Sequence, residues 1–142
     1  MTIASLYNIA RQQNIPVLTT PLPRTGSMSV MADSGVCYIG MDPEVCDGGV
    51  SERVHLSHEL GHCATGSFYN IYAAVDNRRR HENRADKWAI RRLIPVEELD
   101  NAVAEGCCEL WALADRFGVT EPFMKKAICL YVHGNTAAEL YF

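Results

Sequence analysis

No apolar run in the 142 residues approaches the ~18 needed to cross a membrane as a helix. Residues 1–10 lack the basic-then-apolar layout of a signal peptide, which sets the expectation of a cytoplasmic protein with no membrane partner. Internal repeats are absent, and so are Gly/Ser, Pro and Gln tracts, which excludes repeat arrays, linkers and disordered tails. Positive charge is not in excess either: the net charge of -4 argues against a general polyanion binder. The chain has six cysteines but no C-x-x-C pair. Without an export signal, all six are expected to be thiols in a reducing compartment, with Cys63 a buried structural one.

What is present suits one folded unit over residues 1–142. Hydrophobic residues make up 48% and charged residues 21%, enough apolar material for a core at this length. Residues 2–13 carry Ile3, Leu6, Tyr7, Ile9 and Ala10 at helical spacing before Pro16. Residues 15–22 and 28–41 are β-branched and apolar, broken by Pro21, Pro23, Gly26 and Asp33-Ser34-Gly35. That is the punctuation of a small antiparallel or mixed sheet with a hairpin turn at Ser34-Gly35. A loop over 42–49 leads to a helix that contains 54–66, with Ser51 as the expected N-cap and Glu52 in its first turn. A second helix starts near Arg78 and stops at Pro95; Glu82, Ala85, Asp86, Ala89, Ile90 and Leu93 share one face. Arg80, Arg84, Lys87 and Arg91 share another, expected to be solvated. Helices over 96–104, over 108–117 and after Thr120 complete a helical C-terminal half. The fold class expected is α+β.

The most informative stretch is His58-Glu59-Leu60-Gly61-His62. Histidines four apart on a helix lie one turn above the other, so both imidazoles can reach one metal ion with Glu59 beside them. The competing reading, two surface histidines flanking a carboxylate, fits poorly with the apolar or small neighbours Val54, Leu60, Cys63 and Ala64. Catalytic zinc takes three protein ligands and leaves a fourth position open. Glu82 is the expected third ligand, because two carboxylates on an otherwise apolar helix face need a cation or donors. Asp86, one turn on, can then accept the N–H of a zinc-bound imidazole, that of His58. His55, His81 and His133 compete for the third position. The alternative H-E-x-x-H-x-x-G-x-x-H pattern is excluded, since Thr65 and Phe68 stand where its glycine and third histidine belong. Glu59 is the expected general base. Tyr69, Tyr72 or His133 could face the developing oxyanion, and the sequence does not choose among them.

With these residues in place, the chain resembles the ImmA/IrrE family of metallo-endopeptidases of bacteria, phages and integrated mobile elements. The resemblance covers most of the chain. It is carried by a helix, a small sheet ending in Val36-Cys37-Tyr38-Ile39-Gly40, the stretch from Val54 through His62, then Glu82-Asn83-Arg84-Ala85-Asp86-Lys87-Trp88-Ala89 and Leu93-Ile94-Pro95. It implies a zincin-like fold of the gluzincin type, zinc on His58, His62 and Glu82, and catalysis by Glu59. It also implies a substrate class, a helix-turn-helix repressor encoded nearby.

Two other functions compete. Residues 110–131 run alanine, Gly118-Val119-Thr120, then apolar positions, much like a helix-turn-helix, although the second helix would offer DNA only Lys125 and Lys126. Direct nucleic-acid binding is therefore not expected. The other is a metal-stabilised binder of a repressor or toxin that does not cleave it, against which an intact Glu59 speaks.

Overall fold

The computed structural model describes residues 1–68 and 74–142. Thr2 accepts the Ser5 amide at 3.1 Å and so starts helix α1, Ile3–Gln12, which buries Leu6 and Ala10. Three short strands follow, β1 (Val17–Thr19), β2 (Ser27–Met31) and β3 (Cys37–Met41), in the spatial order β1-β3-β2. The five described helices after them are α2 (Val50–Thr65), α3 (Val75–Leu93), α4 (Val96–Ala104), α5 (Leu110–Phe117) and α6 (Glu121–His133), then a 3-10 turn at Ala138–Leu140. The architecture is α+β, as expected, and no described helix is long and apolar enough to cross a membrane.

The sheet is mixed. The β2–β3 hairpin turns at Ser34-Gly35, with Gly35 in the left-handed region at φ 86°, but β1 pairs with β3 in parallel. The reason is the path of residues 20–26, which cross the outer face of β3 at Gly40. A Cβ there would lie 3.3 Å from Leu22 and from Thr20, so a side chain would obstruct the crossing. Buried Asp42 fixes the crossing by accepting the Leu22 amide at 2.6 Å and the Glu44 amide at 2.8 Å. Those two backbone donors hold its carboxyl below the usual range. As a result β3 is central, with Cys37, Ile39 and Met41 turned into the core, while β2 is an edge strand among the described residues.

Two local expectations are corrected. The N-cap of α2 is Gly49, not Ser51; Asp47 accepts the amides of Gly49 and Glu52, and the helix starts at Val50 rather than after Ser51. Cys37 and Cys63 form a disulfide with their Cα atoms 5.9 Å apart, because the start of β3 lies against the last turn of α2. The four cysteines 46, 107, 108 and 129 are free. The expectation that all six cysteines are thiols therefore does not hold for Cys37 and Cys63.

Helices α2 and α3 pack very closely, and Gly61 permits it. A Cβ at this buried position would overlap the carbonyl oxygen of Ala85 and lie 2.9 Å from its Cα. Gly61→Ala gains about 1 kcal/mol of helix propensity. It also overpacks against backbone that cannot rotate aside, a cost of about 1 to 3 kcal/mol. The second effect should win. Denaturant unfolding should show a net loss of stability, and metal affinity should fall with it because α3 is pushed away from α2; unchanged values for both would disprove close packing at this point.

The C-terminal half is fixed to the same helix. The Arg53 guanidinium of α2 donates to the carbonyls of Phe117 and Gly118 at 2.6 Å each, and to that of Met1 at 2.7 Å. The turn between α5 and α6 is thus held on α2, while Tyr131 of α6 donates to the Ile94 carbonyl at 2.6 Å. On α3, Arg80, Arg84 and Arg91 are exposed and Lys87 is half-buried.

Candidate metal centre

His58 and His62 of α2 face α3, and each has its Nδ1 fixed by a group that can only accept. His58 Nδ1 lies 2.8 Å from Asp86 Oδ1. His62 Nδ1 lies 2.6 Å from the Ser67 carbonyl. That carbonyl is in reach because Gly66 ends α2 in the left-handed conformation (φ 64°) and folds the chain back; a Thr65–Ser67 hydroxyl contact of 2.6 Å holds the turn. With a proton on each Nδ1, each neutral imidazole presents a lone pair at Nε2. These two Nε2 atoms are 3.2 Å apart, and the Glu82 carboxylate reaches them at 2.8 Å (His58) and 3.2 Å (His62).

Acceptors converging in this way repel unless a cation lies among them. His58, His62 and Glu82 form a group whose ligand atoms all lie within 4.8 Å of one another, close enough to hold a metal ion. No protein-family model and no curated protein matches this chain. What the centre does has to follow from its own chemistry.

Asp86 is 5% exposed and serves two partners: Oδ1 faces His58 and Oδ2 accepts from Lys126 Nζ of α6 at 3.0 Å. Burial works against its charge, but the contacts with His58 and Lys126 outweigh it and lower its pKa. Around the centre is a cleft of about 630 Å³, whose walls include β2 at Ser27 to Ser29, Val54, Phe68 and the α6 residues Phe123 and Lys126. Glu59, 5% exposed, lines the cleft alongside His58 and His62 and accepts a hydrogen bond from Ser27 Oγ at 2.8 Å.

Of the competing third ligands, neither His55 nor His81 belongs to the metal-type group, and His133 does not line the cleft. His133 is exposed at the far end of α6 with its ring stacked on Tyr141 at 3.7 Å, which removes it as an oxyanion donor. Tyr69 and Tyr72 lie outside the described residues. Cys63 is engaged with Cys37 and is not a ligand. Ser27, the Ser67 carbonyl and Lys126 were not foreseen. Ser67 follows the helix-ending glycine, a weak local signal, but Lys126 is 40 residues from Asp86 and nothing in the spacing links them.

With no metal bound, the cluster holds protons instead. Burial disfavours charge on His58, yet the hydrogen bonds to Asp86 and Glu82 prevail and raise its pKa from 6.5 to about 10. Glu82 moves the other way: burial raises its pKa, but His58 and His62 more than compensate and draw it well below the ordinary carboxylate range. For His58 the folded chain binds more protons than the unfolded chain between these values. Its contribution is complete below pH 6.5 and lost as pH rises toward 10. The melting temperature of chelator-treated protein should therefore fall over that interval, and His58→Asn should flatten the fall. A rise over the same interval would contradict the proton-holding arrangement.

Proposed function

We propose that the protein is a zinc-dependent endopeptidase of the zincin-like kind, acting on a helix-turn-helix repressor. The observation that carries the metal part is the convergence of His58 Nε2, His62 Nε2 and the Glu82 carboxylate, with both Nδ1 atoms already engaged. Two imidazoles and one carboxylate are a donor set suited to catalytic zinc, which leaves a position for a water. When bound, zinc would supply Lewis acidity, making that water more acidic and polarising a peptide carbonyl. Glu59 is the base: its side chain lines the same cleft, takes a proton from the attacking water and returns it to the leaving amine. Asp86, backed by Lys126, keeps the Nδ1 proton on His58 and so keeps Nε2 available to the metal.

Among the described residues β2 is an edge strand of the sheet, and its Ser27, Met28 and Ser29 line the cleft. An extended peptide can add there as a further strand through backbone hydrogen bonds, with apolar side chains meeting Val54, Phe68 and Phe123. The repressor as substrate rests on the family resemblance. The Cys37–Cys63 bond is the feature at odds with a cytoplasmic location for that substrate and protease.

The DNA-binding alternative has little chemistry left. Lys126 pairs with Asp86 inside the cleft, Lys125 lies over the Phe142 ring at 5.5 Å, and Arg53 ties the connecting turn to α2. Co-expression with a helix-turn-helix repressor encoded beside this gene tests the proposal: new fragments on a gel, abolished by a chelator and restored by zinc, are expected. An intact repressor that nonetheless binds the protein would favour the non-cleaving binder.

A further inference from the structure

Glu59 is joined to two residues that the chemistry above does not use. Ser27 Oγ donates to Glu59 Oε2 at 2.8 Å, and the same oxygen lies 2.7 Å from His55 Nδ1. A serine hydroxyl has one proton. Since that proton goes to the carboxylate, His55 Nδ1 must carry the other and donate it to Ser27. Burial lowers the pKa of His55, in keeping with a neutral ring. The backbone is shaped around this ring: Gly26 adopts φ 76°, and a Cβ there would lie 2.7 Å from His55 Cε1.

We infer that Ser27, held by His55, is a positioning residue for Glu59, fixing which carboxylate oxygen faces the metal centre. This inference rests on the reading of Glu59 as base. The terminal torsion of a glutamate is broad and nearly two-fold, so burial alone does not hold the plane of the carboxylate. A charge-assisted hydrogen bond to Oε2 removes that freedom and leaves Oε1 for the proton to be moved. Ser27 itself is no nucleophile: it is 7% exposed, and its hydroxyl points to a carboxylate instead of to a basic nitrogen. The chain His55 to Ser27 to Glu59 links α2 back to itself through β2, the strand proposed to hold the peptide. Peptide and base would thus be aligned by one element.

Acetohydroxamic acid tests this without any peptide substrate. It chelates zinc through two oxygens and gives up its hydroxyl proton, which a correctly placed carboxylate accepts. Calorimetric titration of the zinc-loaded full chain should show Glu59→Gln binding it most weakly. Ser27→Ala should bind about tenfold more weakly than wild type, the effect of one charge-assisted hydrogen bond. Ser27→Thr, which keeps the hydroxyl, should return to within about twofold of wild type. Zinc content of Ser27→Ala should match wild type, and the titration is run below its melting temperature, which should itself fall because His55 Nδ1–H and Glu59 Oε2 lose their buried partner. If Ser27→Ala binds like wild type while Glu59→Gln is weakened, the positioning role is wrong and the base assignment stands. If Glu59→Gln also binds like wild type, Glu59 does not serve the metal face and both fall.

Discussion

Glu59→Gln should abolish cleavage of a susceptible repressor while leaving the protein folded and metal-loaded. The substitution keeps the size of the side chain, and the amide oxygen can still accept from Ser27 Oγ, which lies 2.8 Å from Glu59 Oε2. What it removes is the capacity to take a proton. A positioned general base contributes typically 10² to 10⁴ in rate, or about 3 to 5 kcal/mol of barrier. A gel that resolves complete turnover by wild type should therefore show none for the variant over the same period. Pull-down of the intact repressor by the variant should be at least as strong as by wild type, because the complex is not consumed. Cleavage at the wild-type rate would assign the proton transfer to another group. Equal binding with no cleavage by either protein would make the chain a binding module.

Metal content should discriminate sharply between neighbouring residues of α3. Glu82→Ala removes the carboxylate whose oxygens reach His58 Nε2 at 2.8 Å and His62 Nε2 at 3.2 Å, leaving only two ligands. His81→Ala, one position away, removes no member of the group. Elemental analysis after dialysis should find about one zinc per chain in His81→Ala and almost none in Glu82→Ala. Asp86→Ala should fall between them, with affinity reduced roughly 10- to 100-fold, the range expected when a residue only orients a ligand. Lys126, freed from its carboxylate by that change, has a side chain 42% exposed and can turn to water, so it adds little to the loss. Zinc retained by Glu82→Ala and lost by His81→Ala would overturn the ligand assignment.

The metal-type pattern was legible because its geometry is local. Within α2 the 3.6-residue period places His58 and His62 on one side whatever surrounds the helix, and within α3 it does the same for Glu82 and Asp86. Helix ends were readable where a cap carries the signal, as at Thr120, Gly66 and Gly118. At the start of α2 that approach misled, because Asp47 reaches the amides of Gly49 and Glu52 from outside the helix and the N-cap is Gly49 instead of Ser51.

By itself, then, the sequence determined the helices, the two faces that carry ligand-type residues, and the hairpin at Ser34-Gly35. The tertiary structure decided everything that depends on which elements meet. Gly61 brings α3 within reach of α2 because the glycine has no Cβ to hold Ala85 off, a role its place between two histidines does not suggest. The parallel pairing of β1 with β3 comes from a chain path across Gly40, and the Cys37–Cys63 bond from the strand that path positions. Lys126 meets Asp86, and Ser27 meets Glu59, across 40 and 32 residues of sequence. Helical periodicity fixes relations only within one element; a hydrogen bond between two elements depends on how their buried faces pack, and that is decided by the whole core at once.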